Sequence, residues 1–330
     1  MSSFRTVALA SALIAGLMAS TAHAADVKIA LVVKSLGNGF FDAAHKGAEE
    51  AAKELGGVQI VYTGPTTTTA EGQIEVINSL ISQKVDAIAV SANDKDAVVP
   101  VLKRAMQRGI KVISWDSAVA PEGRMLHLNP SSNALIGNMC LKLAADALPG
   151  GKGDVAILSA TVTSTNQNTW IEEMKKALPK YPGLNLVTTV YGDDLSDKSY
   201  RETQGLLQRF PNVKVIIAPT SVGIVAAAQA VKDAGKIGQV YVTGLGLPSE
   251  MAGAVHAGAT KSFAIWNPID LGYSATELAY DLVKGAKAEP GAELPMGRMG
   301  KLKLDAGNEG AMADPFVYDK TNVDEFAKIF

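Results

Sequence analysis

Short apolar runs alternate with stretches of helical period along nearly the whole chain. The runs fall at 29–33, 59–62, 87–90, 112–115, 155–158, 186–190, 213–218, 240–243 and 263–266. Between most of them, residues 70–83, 97–108, 133–148, 169–178, 197–210 and 222–234 carry the three- and four-residue apolar spacing of helices. Continuous apolar runs are strands buried on both faces, and their alternation with helices predicts parallel sheets wound by right-handed crossovers. The segment 28–56 displays one unit in full. Its strand stops at Lys34, a loop with Gly37, Asn38 and Gly39 follows, and then come Phe40 and Phe41. Ala43, Ala44, Gly47, Ala48, Ala51, Ala52 and Leu55 next line one helix face.

Breaks at Asn129-Pro130-Ser131-Ser132 and at Pro149-Gly150-Gly151-Lys152-Gly153 divide these units into two similar series. The expected fold class is therefore α/β, with two doubly wound parallel-sheet lobes. Residues 25–128 plus 267–290 form the first lobe, and 129–266 plus 291–330 form the second lobe and a return segment. From Ala288 onward the alternation is lost and Gly and Pro become frequent.

The N-terminus has a separate design. Arg5, an apolar run from residue 7 to 18, and Ala22-His23-Ala24 give the layout of a secretory signal peptide with an A-x-A cleavage site. The run is too short for a membrane span of about 20 apolar residues. The expectation is a leader over 1–24, a mature chain from Ala25, and export. Loss of Arg5 leaves 30 basic against 33 acidic residues, a balance with no electrostatic case for nucleic acid or an anionic membrane. Cys140 is the only cysteine, which excludes an intrachain disulfide, and its helical spacing marks it as core.

In open α/β sheets, ligands bind beyond the carboxyl ends of the strands. Polar residues concentrate there: Lys34 after the first strand, Trp115-Asp116-Ser117 after the fourth, and the loop 164–168 with Asn166 and Gln167 after the first strand of the second lobe. Trp170 follows closely. Pro219-Thr220-Ser221 and Trp266-Asn267-Pro268 end two further strands. If the two carboxyl edges face one another, these groups converge on a cleft. A carboxylate, an ammonium, planar amides and aromatic faces suit a neutral polyhydroxylated ligand. Several have a second reading: Asn166 as a helix N-cap ahead of the capping box Thr169-x-x-Glu172, Trp266 as core, and one of Phe40 and Phe41 as a staple on the helix start while the other faces the cleft.

Catalytic chemistry finds no matching set. The Gly37-Asn38-Gly39 loop has Asp42 where the third glycine of a dinucleotide fingerprint belongs, and the second strand ends without the acidic residue that holds a ribose. There is no phosphate-binding P-loop and no G-x-S-x-G elbow. His45, His127 and His256 stand at no metal-ligand spacing. The expectation is a binding protein without enzymatic activity, cofactor or metal.

The stretches VVKSLGNGFFDAA, YTGPTTTTAEGQIEVINSLISQKVDAIAVSA, LKRAMQRGIKVISWDS, TNQNTW and VIIAPTSVGIVAAAQA carry a resemblance to a known family. Across the region after the leader, the chain resembles the periplasmic sugar-binding components of bacterial ABC importers, of the ribose-type (type I) group. Within it, the chain is similar to rhamnose-binding proteins and autoinducer-2 receptors. The resemblance implies two lobes joined by a multi-strand hinge, closing on a monosaccharide and docking as a monomer on ABC permease subunits. It also implies ligand contact by Lys34, Asp116, Gln167 and Pro219. Asn166, Ser221 and Asn267 depart from the autoinducer-2 receptors, which look to have Asp, Ala and Asp there. The TNQNTW and IWNP forms look like the rhamnose branch. The implied ligand is L-rhamnose, with autoinducer-2 or another monosaccharide as the alternative.

Overall fold

The computed structural model describes residues 27–330. The proposed leader and the start at Ala25 lie outside the described residues. Strands β1 (Val27–Val32), β2 (Val58–Thr63), β3 (Ala87–Val90), β4 (Lys111–Trp115) and β5 (Leu126–Asn129) form a parallel sheet in the order β5-β4-β3-β1-β2. Helices α1 (Gly39–Leu55), α2 (Ala70–Gln83) and α3 (Val99–Gln107) make the crossovers. The winding reverses between β1 and β3, so the first lobe has its switch point beside Lys34.

The second lobe repeats the plan. After α4 (Asn133–Ala147), strands β6 (Gly153–Ser159), β7 (Leu184–Tyr191), β8 (Val213–Ala218) and β9 (Tyr241–Gly244) run parallel in the order β7-β6-β8-β9. They are wound by α5 (Thr165–Ala177), α6 (Ser196–Arg209) and α7 (Ser221–Asp233), and here the reversal falls between β6 and β8. Helix α8 (Pro248–Ala257) leads to β10 (Ser262–Ile265), and α9 (Pro268–Val283) then returns to the first lobe. Gly47 of α1 and Gly272 of α9 allow that return. A Cβ on Gly47 would stand 1.7 Å from the Ile269 carbonyl oxygen, and one on Gly272 would stand 1.9 Å from that of Ala44. Only glycine permits the two backbones to touch there.

The tail is more structured than its pattern indicates. Strands β11 (Glu293–Pro295) and β12 (Lys301–Lys303) form a hairpin packed toward α9. Strand β13 (Glu309–Ala311) then joins β5 at the edge of the first sheet, while β14 (Phe316–Asp319) pairs antiparallel with β10. The return segment expected over 291–330 thus divides, with β13 joining the first lobe's sheet and β14 pairing with β10 of the second lobe. Strands of three residues have too few positions to show a period. The chain passes between lobes after β5, after β10 and between β13 and β14, giving a hinge of three connections.

Candidate functional site

The two sheets present their carboxyl ends to one another across a cavity. Lys34 continues β1 and is almost wholly buried. Its strand end is clamped by two amide side chains that the sequence pattern does not single out. Gln73 donates to the carbonyls of Val33 and Ser91 at 3.1 and 2.6 Å and accepts from the Asn93 amide at 2.9 Å, while Asn93 donates to the Lys34 carbonyl at 2.9 Å. The ends of β1 and β3 are therefore fixed relative to one another before any ligand arrives.

Lys34 Nζ crosses to the second lobe, donating to Ser164 Oγ at 2.9 Å and Asn166 Oδ1 at 2.8 Å. Asp116 stands one residue beyond β4 in a left-handed conformation (φ 57°), which Asp tolerates better than most residues. Its Oδ2 accepts from Ser91 Oγ at 2.7 Å and its Oδ1 from Asn166 Nδ2 at 3.0 Å. Burial raises the Asp116 carboxyl above the ordinary carboxylate value, while the Lys34 charge and the Ser91 and Asn166 hydrogen bonds pull it back. Asn166 thus joins the ammonium and the carboxylate of the opposite lobe through one amide.

Asn166 and Gln167 lie in the first turn of α5, whose N-cap residue is Ser164. The expected helix start at 169 and the loop at 164–168 are corrected accordingly. The run Thr-Asn-Gln-Asn has no apolar position to reveal a first turn. Gln167 Oε1 accepts from Ser159 Oγ and the Ala160 amide at 2.9 and 2.7 Å, and its Nε2 bonds to no protein group among the described residues. Pro219 and Ser221 lie at the β8–α7 junction, where Thr220 caps α7 by accepting from the Gly223 amide at 3.1 Å.

Aromatic rings wall the remainder. Phe40 and Phe41 meet edge to face at 5.3 Å, Phe40 meets Trp266 at 6.2 Å, and Trp170 meets Trp266 at 5.6 Å. Both phenylalanines line the cavity, and Phe41 also abuts Trp115. Trp170 Nε1 donates to Asn133 Oδ1 at 2.8 Å, whereas the buried Trp266 Nε1 has no protein partner.

Ten of the eleven sequence-predicted residues line this one cavity: Lys34, Phe40, Phe41, Asp116, Asn166, Gln167, Trp170, Pro219, Ser221 and Trp266. Asn267 does not. Its side chain caps α9, accepting from the Ile269 amide and donating to Asp270, both at 2.9 Å. A residue following a strand directly into a helix is as well placed for capping as for a ligand. Asn38, Asp194, Thr220, Leu245 and Ile265 complete the lining; of these, only Thr220 lies among the strand-end groups that the sequence points to. Thr220, between two expected residues, was the most findable of them. About 40 Å³ of the cavity is open to water, enough for roughly three water positions. Among the described residues, no group of three or more His, Cys, Asp or Glu side chains is placed to hold a metal ion.

A family model for the periplasmic binding protein domain matches residues 29–287. The D-allose-binding periplasmic protein of Escherichia coli (strain K12) is 28% identical over 287 residues, covering 85% of this chain and 92% of that protein. A crystal structure of an ABC transporter solute binding protein from Clostridium phytofermentas with bound L-rhamnose is 38% identical. It superposes with a TM-score of 0.88 over 92% of this chain and 99% of that one. LsrB from Clostridium saccharobutylicum in complex with AI-2 has a TM-score of 0.86 over 91% of this chain and 99% of its own. At 24% identity it bears on the fold alone. Two lobes of parallel sheet, a three-connection hinge and a family match over most of the chain lead to one conclusion: the chain belongs to the periplasmic binding protein domain family.

Proposed function

We propose that this protein is the extracytoplasmic sugar-binding component of an ABC importer, that its ligand is L-rhamnose, and that it delivers the sugar as a monomer to permease subunits. The leader of residues 1–24 would export it to the periplasm. The observation carrying the ligand class is the cavity itself. An ammonium and a carboxylate from one lobe face amides from the other, between aromatic walls that can pack against the C–H surface of a sugar ring. The 38% identity to a protein crystallised with L-rhamnose supports the choice of sugar. Capture follows from geometry, because only closed lobes bring both sets of polar groups to one ligand.

Calorimetric titration of the mature protein with L-rhamnose, D-ribose and autoinducer-2 tests the reading. Heat of binding with L-rhamnose and no product afterwards is the expected result. Tight binding of either competitor, with none of L-rhamnose, overturns the ligand assignment.

A further inference from the structure

The turn after β7 places Asp193 and Asp194 in succession in the left-handed region, at φ 57° and 54°. Left-handed residues without glycine are uncommon, and two in a row mark a backbone held in place by its surroundings. Three bonds hold it. The Gly192 and Asp193 amides donate to the carbonyls of Ser159 and Ala160 at the end of β6, and Thr68 of the opposite lobe donates to the Asp193 carbonyl at 2.8 Å. Asp193 spends its carboxylate outward on Lys198. Asp194 turns the other way and lines the interlobe cavity, where its Oδ1 accepts from Thr220. Its Oδ2 has no hydrogen-bond partner among the described residues. Its charge is felt by Asp116 on the facing wall, where it opposes ionisation.

We infer that Asp194 is a specificity-determining ligand residue, whose free Oδ2 accepts a hydrogen bond from a ligand hydroxyl on the second lobe's side of the cavity. The assignment rests on the sugar-binding reading above and deepens it. Asn166 answers Asp116 with an amide, and the turn after β7 supplies a carboxylate on the second lobe's side of the cavity. Each lobe then contributes one anionic acceptor. A neutral sugar with hydroxyls on opposite ring edges satisfies both, and an epimer that turns one hydroxyl away leaves a carboxylate unpaired. Such mismatches discriminate more strongly than changes in apolar contact.

Asp194→Asn keeps an oxygen to accept from Thr220 and tolerates the same backbone, so it removes the charge without removing the turn. Whichever of L-rhamnose, D-ribose, D-allose and autoinducer-2 binds the wild type serves as the probe, together with its monodeoxy analogues. The expected result is an affinity loss of about 10- to 100-fold for the probe, at an unchanged melting temperature. That loss should vanish for the one deoxy analogue lacking the contacted hydroxyl. Equal binding by variant and wild type overturns the assignment alone, as does an equal loss for every analogue, which would indicate a purely structural role. A wild type that binds none of the four overturns the sugar-binding reading, and Asp194 with it.

Discussion

At the scale of single residues, the cavity is organised around one buried cation and the groups that answer it. Among the described residues, Lys34 has no salt-bridge partner within contact distance. Its ammonium is held by a hydroxyl and an amide oxygen, with Asp116 acting through its field. Replacing Asp116 with Asn keeps the left-handed backbone and the acceptor for Ser91, but leaves the Lys34 charge uncompensated. A buried charge deprived of its counter-charge is strongly unfavourable. Sugar affinity of Asp116→Asn should therefore fall by about 100-fold or more, measured by calorimetric titration beside far-UV circular dichroism to verify the fold. Wild-type affinity in that variant would place Asp116 outside the ligand shell. Most of this residue-scale picture was legible in the sequence, because a polar residue ending an apolar strand is a strong positional signal. Asp194 was not, since it follows a half-exposed strand through a turn whose dihedral angles leave no trace in the pattern.

At the scale of elements, legibility followed periodicity. The buried strands of both sheets were readable because four or more consecutive apolar residues leave few alternatives, as in β1 and β8. In helix α9, residues from Pro268 to Ala279 are buried apart from Asp270, the polar Ser274, Thr276 and Glu277 included, so its burial is set by packing on both sides rather than by an apolar stripe in its sequence. Strand β5 shows how an element can carry chemistry unrelated to the ligand. His127 on β5 is buried, with Nδ1 at 2.9 Å from Ser114 Oγ on β4 and Nε2 at 3.2 Å from Asn129 Oδ1. Asn129 meets Glu309 at the start of β13, and Glu309 pairs with Arg124. Burial, aided by the Arg124 charge, pushes the imidazole from 6.5 down to about 3. Between those values the unfolded chain takes up a proton that the folded chain refuses. This contribution to stability is thus complete above pH 6.5 and is lost as pH falls toward 3, by at most about 1.4 kcal/mol per pH unit. In His127→Gln, melting temperatures between pH 4 and 6.5 should decline less steeply than in the wild type. Parallel profiles would show that His127 titrates normally.

At the scale of the whole molecule, the lobes are bonded directly to each other, in part by groups that line the cavity. Lys34 reaches Ser164 and Asn166, Asp116 accepts from Asn166, and Thr68 donates to Asp193. A sugar that engages Lys34 and Asp116 meets bonds that both residues already make to Asn166. Asn166 makes two of them, and its Oδ1 also accepts from Ser164 and the Gln167 amide at 3.1 and 2.8 Å, which fixes its orientation. The sugar and Asn166 therefore compete for Lys34 and Asp116, and the closed arrangement has a protein-only source of stability. A hinge equilibrium shifts only by the difference in interaction energy between its two states. Truncating Asn166 to Ala removes interlobe bonds that exist in the closed state alone, so the balance moves toward opening. Two buried hydrogen bonds of about 1 kcal/mol each, one to the Lys34 ammonium and one to the Asp116 carboxylate, correspond to a population change of roughly 30-fold. Small-angle scattering of sugar-free Asn166→Ala should then give a larger radius of gyration than sugar-free wild type, with the difference abolished in a wild type already open. Identical compact radii for both proteins would mean that the hinge connections, rather than Asn166, set the closed geometry.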